Sequence, residues 1–588
     1  LVEEKVSMNP TLPGSSGGLC PHSAGSRSKG RVRRPYTCKV TDTASTFTAG
    51  NVDDAPRSDR PELLSALAAD LRPLNYTVDG VAELLGTTAS EALGRDQLIP
   101  ALLASERLMD SKDPALRSQA VIVRLWLLAV PQSVEDIDSA LPGIRAKGLE
   151  ELGLITVDSG MAHAKADLRP YGWDANTDGS GGAELWVASD LAAHQQPGVL
   201  RHDHVLGIGR ASTTLVQTTF RKHSKRALDV GTGCGIQTFH LLHHCEHVTA
   251  TDISERALAF TRFNLLLNAA ELELDPDNLE RRVSLRLGSL LDPVEGEQFG
   301  LVVSNPPFVI TPRTGGESSS DQFTYRDGGL PGDDIVASLV QSLAEVLEPG
   351  GTAQMLGNWE VTSGTDWKDR PKAWLQDSGL DVWFIQREQV GPEQYAETWL
   401  QGASQNREGQ QYQEAYAAYL DDFASRNVQG IGFGMIWLRR PDTPLEVTIS
   451  RFEEITYPIE QPIGPHLGAA VERADWVASH SVPEAHLVVA EDVTEERHQR
   501  PGAVHPGVIL LRQGAGLRRT NLLSTELAGF VSACDGQLSV RQIVSALVSL
   551  LGGGEDFDEE TFREGLFREV TNLVLDGFLL PDPAQVDA

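Results

Sequence analysis

Two segments of this chain have residue types and spacings that can do chemistry. The first is Ser304-Asn305-Pro306-Pro307-Phe308, expected just after an apolar strand. A conjugated amino nitrogen is a poor nucleophile because its lone pair is delocalised. A catalyst must therefore favour a pyramidal nitrogen facing its electrophile. The Asn305 side-chain oxygen and the Pro306 carbonyl offer two acceptors for the two N–H bonds of such a group. Pro306 and Pro307 fix the backbone in advance, and Phe308 presents a flat apolar face for a conjugated group. No strong base is needed, because the nitrogen becomes very acidic once bonded and can release its proton to Asn305 or water. Positioning two reactants supplies roughly 7–11 kcal/mol, whereas a general base supplies about 3–5 kcal/mol, so positioning dominates.

The second segment is Ala227-Leu228-Asp229-Val230-Gly231-Thr232-Gly233-Cys234-Gly235, an apolar strand running into a turn with glycine at every second position. Such a turn lets backbone approach a ligand closely before a helix opens. A dinucleotide fingerprint is similar, but Asp229 immediately before the glycines would repel a pyrophosphate and suits a cationic or hydroxyl-bearing ligand. No Tyr-Lys pair or comparable hydride-transfer constellation stands out. The next strand ends at Asp252, placed to accept from two ribose hydroxyls, and the third ends in Gly288-Ser289-Leu290, a small polar segment suited to border a base.

These segments need a scaffold. From about residue 162 to 440, β-rich runs alternate with helical patterns, which predicts a parallel sheet covered by helices on both faces. Strands are expected at 227–230, 247–251, 283–287, 301–304, 352–356, 382–385 and 432–438, with helices at 254–268, N-capped by Ser254, and 333–347. Residues 58–160 repeat Leu, Val and Ala at helical spacing and predict a small helical, winged-helix-like domain, with Val121–Val130 as a buried helix. Residues 441–588 begin with β-like runs at 445–449 and 508–511. They continue as helices at 521–534, 540–551 and 559–575, which resemble a terminal winged-helix module. Residues 1–57, rich in Ser, Gly, Pro and Thr with a basic patch from Arg27 to Arg34, are expected to be a disordered extension.

Taken together, the central segments resemble the class I S-adenosylmethionine-dependent methyltransferases. The fold class this implies is α/β, a Rossmann-like seven-stranded domain at 161–440 between the helical N-terminal domain and an α+β C-terminal one. By the same resemblance Asp229, Gly231, Thr232, Gly233 and Gly235 line the methionine end of S-adenosyl-L-methionine, Asp252 and Ile253 hold its ribose, and Ser289 and Leu290 lie near its base, with Asn305 bordering the cofactor. The Asn-Pro-Pro-Phe tetrad resembles that of the amino-methylating families: release-factor glutamine, small-domain rRNA guanine and adenine-N6 methyltransferases. Tyr325-Arg326-Asp327-Gly328-Gly329-Leu330 with Gly332-Asp333 resembles the glycine-rich segment that follows the tetrad in the glutamine enzymes. Upstream, Gly207–Thr214 replaces their Pro-Arg-Pro-Glu-Thr-Glu-like segment, which weighs against a glutamine acceptor. The resemblance implies methyl transfer to a planar amino nitrogen of an RNA or DNA base, ahead of a glutamine of a translation factor or ribosomal protein. A non-catalytic binding protein on the same scaffold is a third reading.

Composition bounds the partners. The chain has 588 residues and a net charge of −32, which excludes indiscriminate nucleic-acid binding and demands a local basic surface for any RNA or DNA. The densest such cluster, Arg221, Lys222, His223, Lys225 and Arg226, reads first as a solvated helix end favoured by its dipole, ahead of a surface tracking a phosphate backbone. His240, His243, His244 and His247 lack an evident further ligand, so no metal is expected; Arg201-His202-Asp203-His204 reads as solvated side chains ahead of an entrance to the active site. Five scattered cysteines without a CxxC pair suit a reducing cytoplasm, and no run of about 20 apolar residues predicts a membrane span.

Overall fold

The computed structural model describes residues 46–174, 181–196, 200–312, 328–402, 409–442, 447–552 and 557–582. Residues 1–45 of the expected extension and Tyr325-Arg326-Asp327 lie outside them. The remainder of that extension is built into the fold. Phe47 donates its N–H to Leu285 O at 2.6 Å, and Arg57 donates to Leu152 O at 2.8 Å. Phe47 and Val52 also pack against the core, so two apolar residues give this stretch a surface to bury.

A central sheet positions the two chemical segments. Its strands are β1 (Ser224–Val230), β2 (Cys245–Asp252), β3 (Val283–Leu287), β4 (Phe299–Ser304), β5 (Leu347–Thr362), β6 (Asp381–Val390), β7 (Val428–Arg439) and β8 (Ser450–Glu454). Their spatial order is β3-β2-β1-β4-β5-β7-β6-β8. Pairs among β1 to β5 are parallel, β7 runs antiparallel to β5 and β6, and β8 runs parallel to β6. This is the expected Rossmann-like α/β arrangement, with eight strands rather than seven. The eighth crosses the expected domain boundary at 440, because Phe452 stacks on Phe384 of β6 at 5.4 Å and adds a parallel ladder from Val382 to Gln386. The order reverses between β1 and β4, so their carboxyl ends diverge around a crevice, the place where open α/β sheets bind ligands.

The helices follow their caps. Helix α1 (Glu255–Leu267) opens with Ser254 accepting from Ala257 N, and α2 (Asp334–Val346) lies on the other core face. An antiparallel hairpin, Asp167–Trp173 with Ala183–Ser189, docks on α1 through two asparagines. Asn264 takes the N–H and C=O of Ala188 at 2.8 and 2.9 Å, and Asn268 those of Trp186 at 2.9 and 2.8 Å. Spaced four apart on one helix face, these amides substitute for a neighbouring strand.

Residues 61–151 are mainly helical, ending with Val134–Ala140 and Arg145–Glu151, and the strand Gln132–Ser133 within them joins Ile155–Asp158 and Met161–Ala164 in a three-stranded antiparallel sheet. The apolar run from Val121 falls in the buried helix Pro114–Trp126. The C-terminal part holds the helix Gly464–Ser479, two three-stranded sheets, and the helices Thr525–Val531, Val540–Leu551 and Glu559–Asp576. The helix expected from Asn521 starts later, because Thr520–Leu523 pairs with Ile509–Arg512 as a strand and Ser524 caps the helix behind it. No helix among the described residues is long and apolar enough to cross a membrane.

Candidate active site

The glycine turn stands at the carboxyl end of β1. Gly231, Gly233 and Gly235 have φ of +76°, +59° and +99°, values at which a side chain costs roughly 1–2 kcal/mol. A Cβ at Gly231 or Gly233 would meet nothing within 4 Å, so these two line open space, whereas one at Gly235 would press on Phe239 and Thr261. The turn is tied from behind. Gly231 and Thr232 donate to Thr251 O at 2.9 and 3.0 Å, Thr261 donates to Gly233 O at 2.8 Å, and Asn264 donates to Cys234 O at 2.9 Å.

Asp229 is 0% exposed; one carboxylate oxygen accepts from Thr238 at 2.7 Å and the other has no hydrogen-bond partner. Burial, with the Asp252 charge adding to it, raises its carboxyl to about 6 against the hydrogen bond from Thr238. Asp252 ends β2. Its Oδ2 accepts from Gly233 N at 3.0 Å and its Oδ1 from Ser254 N at 2.9 Å, while burial raises its carboxyl. A carboxylate offers about four lone-pair directions, so these two bonds leave capacity for two hydroxyls. Ile253 beside it is 59% exposed. Ser289 is exposed after β3, and Leu290 adopts a φ of +47°, a left-handed conformation rare for a branched residue.

The tetrad follows β4. Ser304 remains in the sheet, paired with Val230 and Met355, and its hydroxyl donates to Val230 O at 2.9 Å. Asn305 and Pro307 are half-buried and Pro306 is buried; among the described residues Asn305 Oδ1 has no hydrogen-bond partner. An unmet buried acceptor costs about 1–3 kcal/mol. Phe308 packs its half-buried ring against both main core clusters and meets Phe433 edge-on at 6.5 Å. β1 and β4 are adjacent, so the turn and the tetrad leave the sheet at one end, on either side of the crevice.

Sequence reasoning missed four residues that build this site. Thr261 and Asn264 hold the turn from α1. Asn358, inside apolar β5, donates from Nδ2 to Phe308 O at 2.7 Å, and Tyr395 Oη accepts from Ile310 N at 2.8 Å. An asparagine within an apolar strand was the available signal for Asn358; nothing local marks Tyr395.

The remaining clusters lie elsewhere. Arg221 to Arg226 surround the amino end of β1, about 20 Å from the glycine turn at 3.3 Å per residue. Arg226 there pairs with Glu297 and covers Phe299. His240 is held by Tyr171 Oη at 2.7 Å and by the Trp173 ring at 4.0 Å, and among the described residues no metal-binding group of His, Cys, Asp or Glu occurs. Arg201 pairs with Asp203 and Asp54, tying its loop to the N-terminal stretch.

Residues 190–320 match the methyltransferase small domain, and residues 74–166 match a domain of unknown function (DUF7059). The release factor glutamine methyltransferase of Geobacter sulfurreducens is 30% identical over 234 residues, which cover 38% of this chain and 72% of that protein. The ribosomal protein uL3 glutamine methyltransferase of Bradyrhizobium diazoefficiens is 28% identical over 32% of this chain and 58% of its own length. The ribosomal RNA small subunit methyltransferase C of Erwinia tasmaniensis is 26% identical over 34% and 48%. The chain spans about half the length of several of these curated relatives. Among solved structures, the ribosomal protein L11 methylase of Lactobacillus delbrueckii subsp. bulgaricus aligns with 17% identity over 40% of this chain and 81% of its own, with a TM-score of 0.21.

Proposed function

Because the chain belongs to the small-domain, HemK-like group of class I S-adenosylmethionine-dependent methyltransferases, we propose that it methylates a planar amino nitrogen seated against Asn305. The observation that carries this reading is the buried, donorless Asn305 Oδ1 at the carboxyl end of β4, across the crevice from the open glycine turn. S-adenosyl-L-methionine supplies an electrophilic methyl group on a sulfonium when bound. The residues fit it on two counts: Asp229 keeps a buried carboxylate oxygen without a donor, suited to an ammonium, and Gly231 and Gly233 leave a cradle that any Cβ would fill.

In this reading Asp252 gives its remaining lone pairs to the ribose hydroxyls, and Ile253, Ser289 and Leu290 border the base. Asn305 Oδ1 and the Pro306 carbonyl accept the two amino N–H bonds and turn the lone pair toward the methyl carbon. Pro307 keeps these acceptors fixed, and Phe308 flanks the conjugated group. The proton leaves through Asn305 or water after transfer, so the site needs no strong base.

For the acceptor molecule we favour a glutamine side-chain amide of a translation or ribosomal protein. The Geobacter relative, which this chain covers over 72% of its length, is named for that substrate. The basic cluster at the far end of β1 is also badly placed to hold a nucleic-acid backbone at the crevice. A nucleic-acid base is the second reading, supported by the similarity to an rRNA methyltransferase. The flanking N- and C-terminal regions, both winged-helix-like in this reading, select the target. Cys234, Cys245 and Cys534 are free and buried, in keeping with a reducing cytoplasm. Tritiated methyl transfer into a lysate lacking this protein tests the assignment: protease-released label supports the glutamine reading, RNase-released label the base, and no label in either fraction overturns both.

A further inference from the structure

Between Ser304 and Phe308 the tetrad has few backbone donors of its own. Ser304 is the last residue paired on both sides in β4. Of the next three residues only Asn305 has an N–H, since Pro306 and Pro307 cannot donate. The path of the acceptors is therefore set by how the chain is caught again after Pro307. Among the described residues two side chains catch it. Asn358 Nδ2 donates to Phe308 O at 2.7 Å, and Tyr395 Oη accepts from Ile310 N at 2.8 Å. The two anchors touch each other, with Asn358 Nδ2 at 3.4 Å from Tyr395 Oη. Tyr395, 1% exposed, also lies parallel to Phe433 at 5.8 Å, and Phe433 meets the Phe308 ring.

Asn358 is an expensive residue to keep here. It is 0% exposed on an apolar strand, and its Oδ1 has no hydrogen-bond partner. Its orientation is nevertheless dictated, because the Phe308 carbonyl only accepts and so faces the amide nitrogen. The same stretch of β5 holds the chain on the far side of residues 313–327: Glu360 N donates to Asp333 Oδ2 at 2.7 Å, and Arg370 pairs with Asp333. One strand thus fixes the chain both before and after that segment.

We infer that Asn358 and Tyr395 are positioning residues for methyl transfer: together they hold Phe308 and Ile310 so that Asn305 Oδ1 and the Pro306 carbonyl face the acceptor nitrogen. This rests on the tetrad being the acceptor site. Misplacing a reacting group by about 1 Å costs on the order of 10²-fold in rate. Asn358→Leu, which keeps volume and deletes the amide, should therefore lower turnover about 100-fold, and Tyr395→Phe, which deletes one hydroxyl, about 10-fold. The double variant should lose less than the product, because both act on one stretch of chain.

The test measures three quantities on the full-length protein: tritiated methyl transfer into the lysate fraction labelled by the wild type, calorimetric affinity for S-adenosyl-L-homocysteine, and hydrogen exchange at the Ile310 amide. Faster Ile310 exchange and slower transfer in Tyr395→Phe, with affinity within about twofold, support the inference. Wild-type transfer by both variants overturns it while leaving the proposed function standing, and so does unchanged Ile310 exchange. Should Asn358→Leu fail to fold, Tyr395→Phe, which preserves the ring, decides alone. If the wild type itself labels nothing, the proposed function falls and takes the inference with it, an outcome readily told apart from a variant-specific one.

Discussion

The two sides of the crevice are built on opposite principles. On the cofactor side the turn's backbone is engaged, its amides and carbonyls bonding to Thr251, Asp252, Thr261 and Asn264, while one Asp229 oxygen and the remaining lone pairs of Asp252 are left for a ligand. On the acceptor side, Asn305 Oδ1 and Asn358 Oδ1 are both buried without donors, and the chain is fixed chiefly beyond the tetrad. In the proposed reading the first side is a cradle shaped by its own backbone bonds, the second a hydrogen-bond network that a donor-bearing substrate would close. A site that binds one constant ligand can satisfy itself in advance. A site that must steer a nitrogen lone pair keeps its acceptors vacant and rigid, so that little reorganisation is needed during reaction.

That contrast can be broken by experiment. The largest effect is expected from Asn305→Ala, which should cut turnover about 10²–10³-fold. Its affinity for S-adenosyl-L-homocysteine should stay within about twofold by calorimetry, and an equal loss of both would erase the distinction between the two sides. Gly233→Ala should do the reverse. The added methyl enters the open cradle at a φ of +59°, so cofactor affinity should drop on the order of tenfold, alongside a strain of roughly 1–2 kcal/mol seen as a modest fall in Tm. Retained affinity would show that the cofactor lies elsewhere.

The smallest effect concerns Asp229, whose carboxyl titrates at about 6 instead of its ordinary 3.8. A cation binds the ionised form, so affinity should weaken as pH falls through 6, by about tenfold for each further unit, and Asp229→Asn should flatten that dependence. The sign for the free protein is opposite. An acid with a raised folded value favours folding when protonated, so this group adds stability as pH drops from 6 toward 4 and loses it as pH rises. A pH-independent wild-type affinity between 5 and 7 would remove Asp229 from the ammonium role.

How much of this was legible in the sequence varies with the range of the interactions. All seven expected strands occur, because their apolar runs need burial on both faces and announce it locally. The eighth, Ser450–Glu454, escaped notice: it carries Arg451, Glu453 and Glu454, and Phe452 is its single apolar side chain, stacked beside β6. Thr520–Leu523 read as the start of a helix because its pairing partner sits in a separate apolar run, Ile509–Arg512. Asp229, the glycines, Asp252 and Asn305 were visible since each sits at a strand end with a recognisable neighbour. Asn358 and Tyr395 were not, being 50 and 85 positions from the backbone atoms they hold.

By itself, then, the sequence determined the parallel core, the conformations that only glycine adopts cheaply in the turn, and the chemical character of the tetrad, all consequences of local sterics and of apolar residues spaced for a sheet. Tertiary structure alone decided that a strand and a distant tyrosine hold the backbone after the tetrad, that Asp229 is buried enough to titrate near 6, and that the basic cluster lies at the end of β1 opposite the glycine turn. Burial and long-range hydrogen bonds depend on which elements the folded chain brings together, and no spacing along the chain encodes that directly.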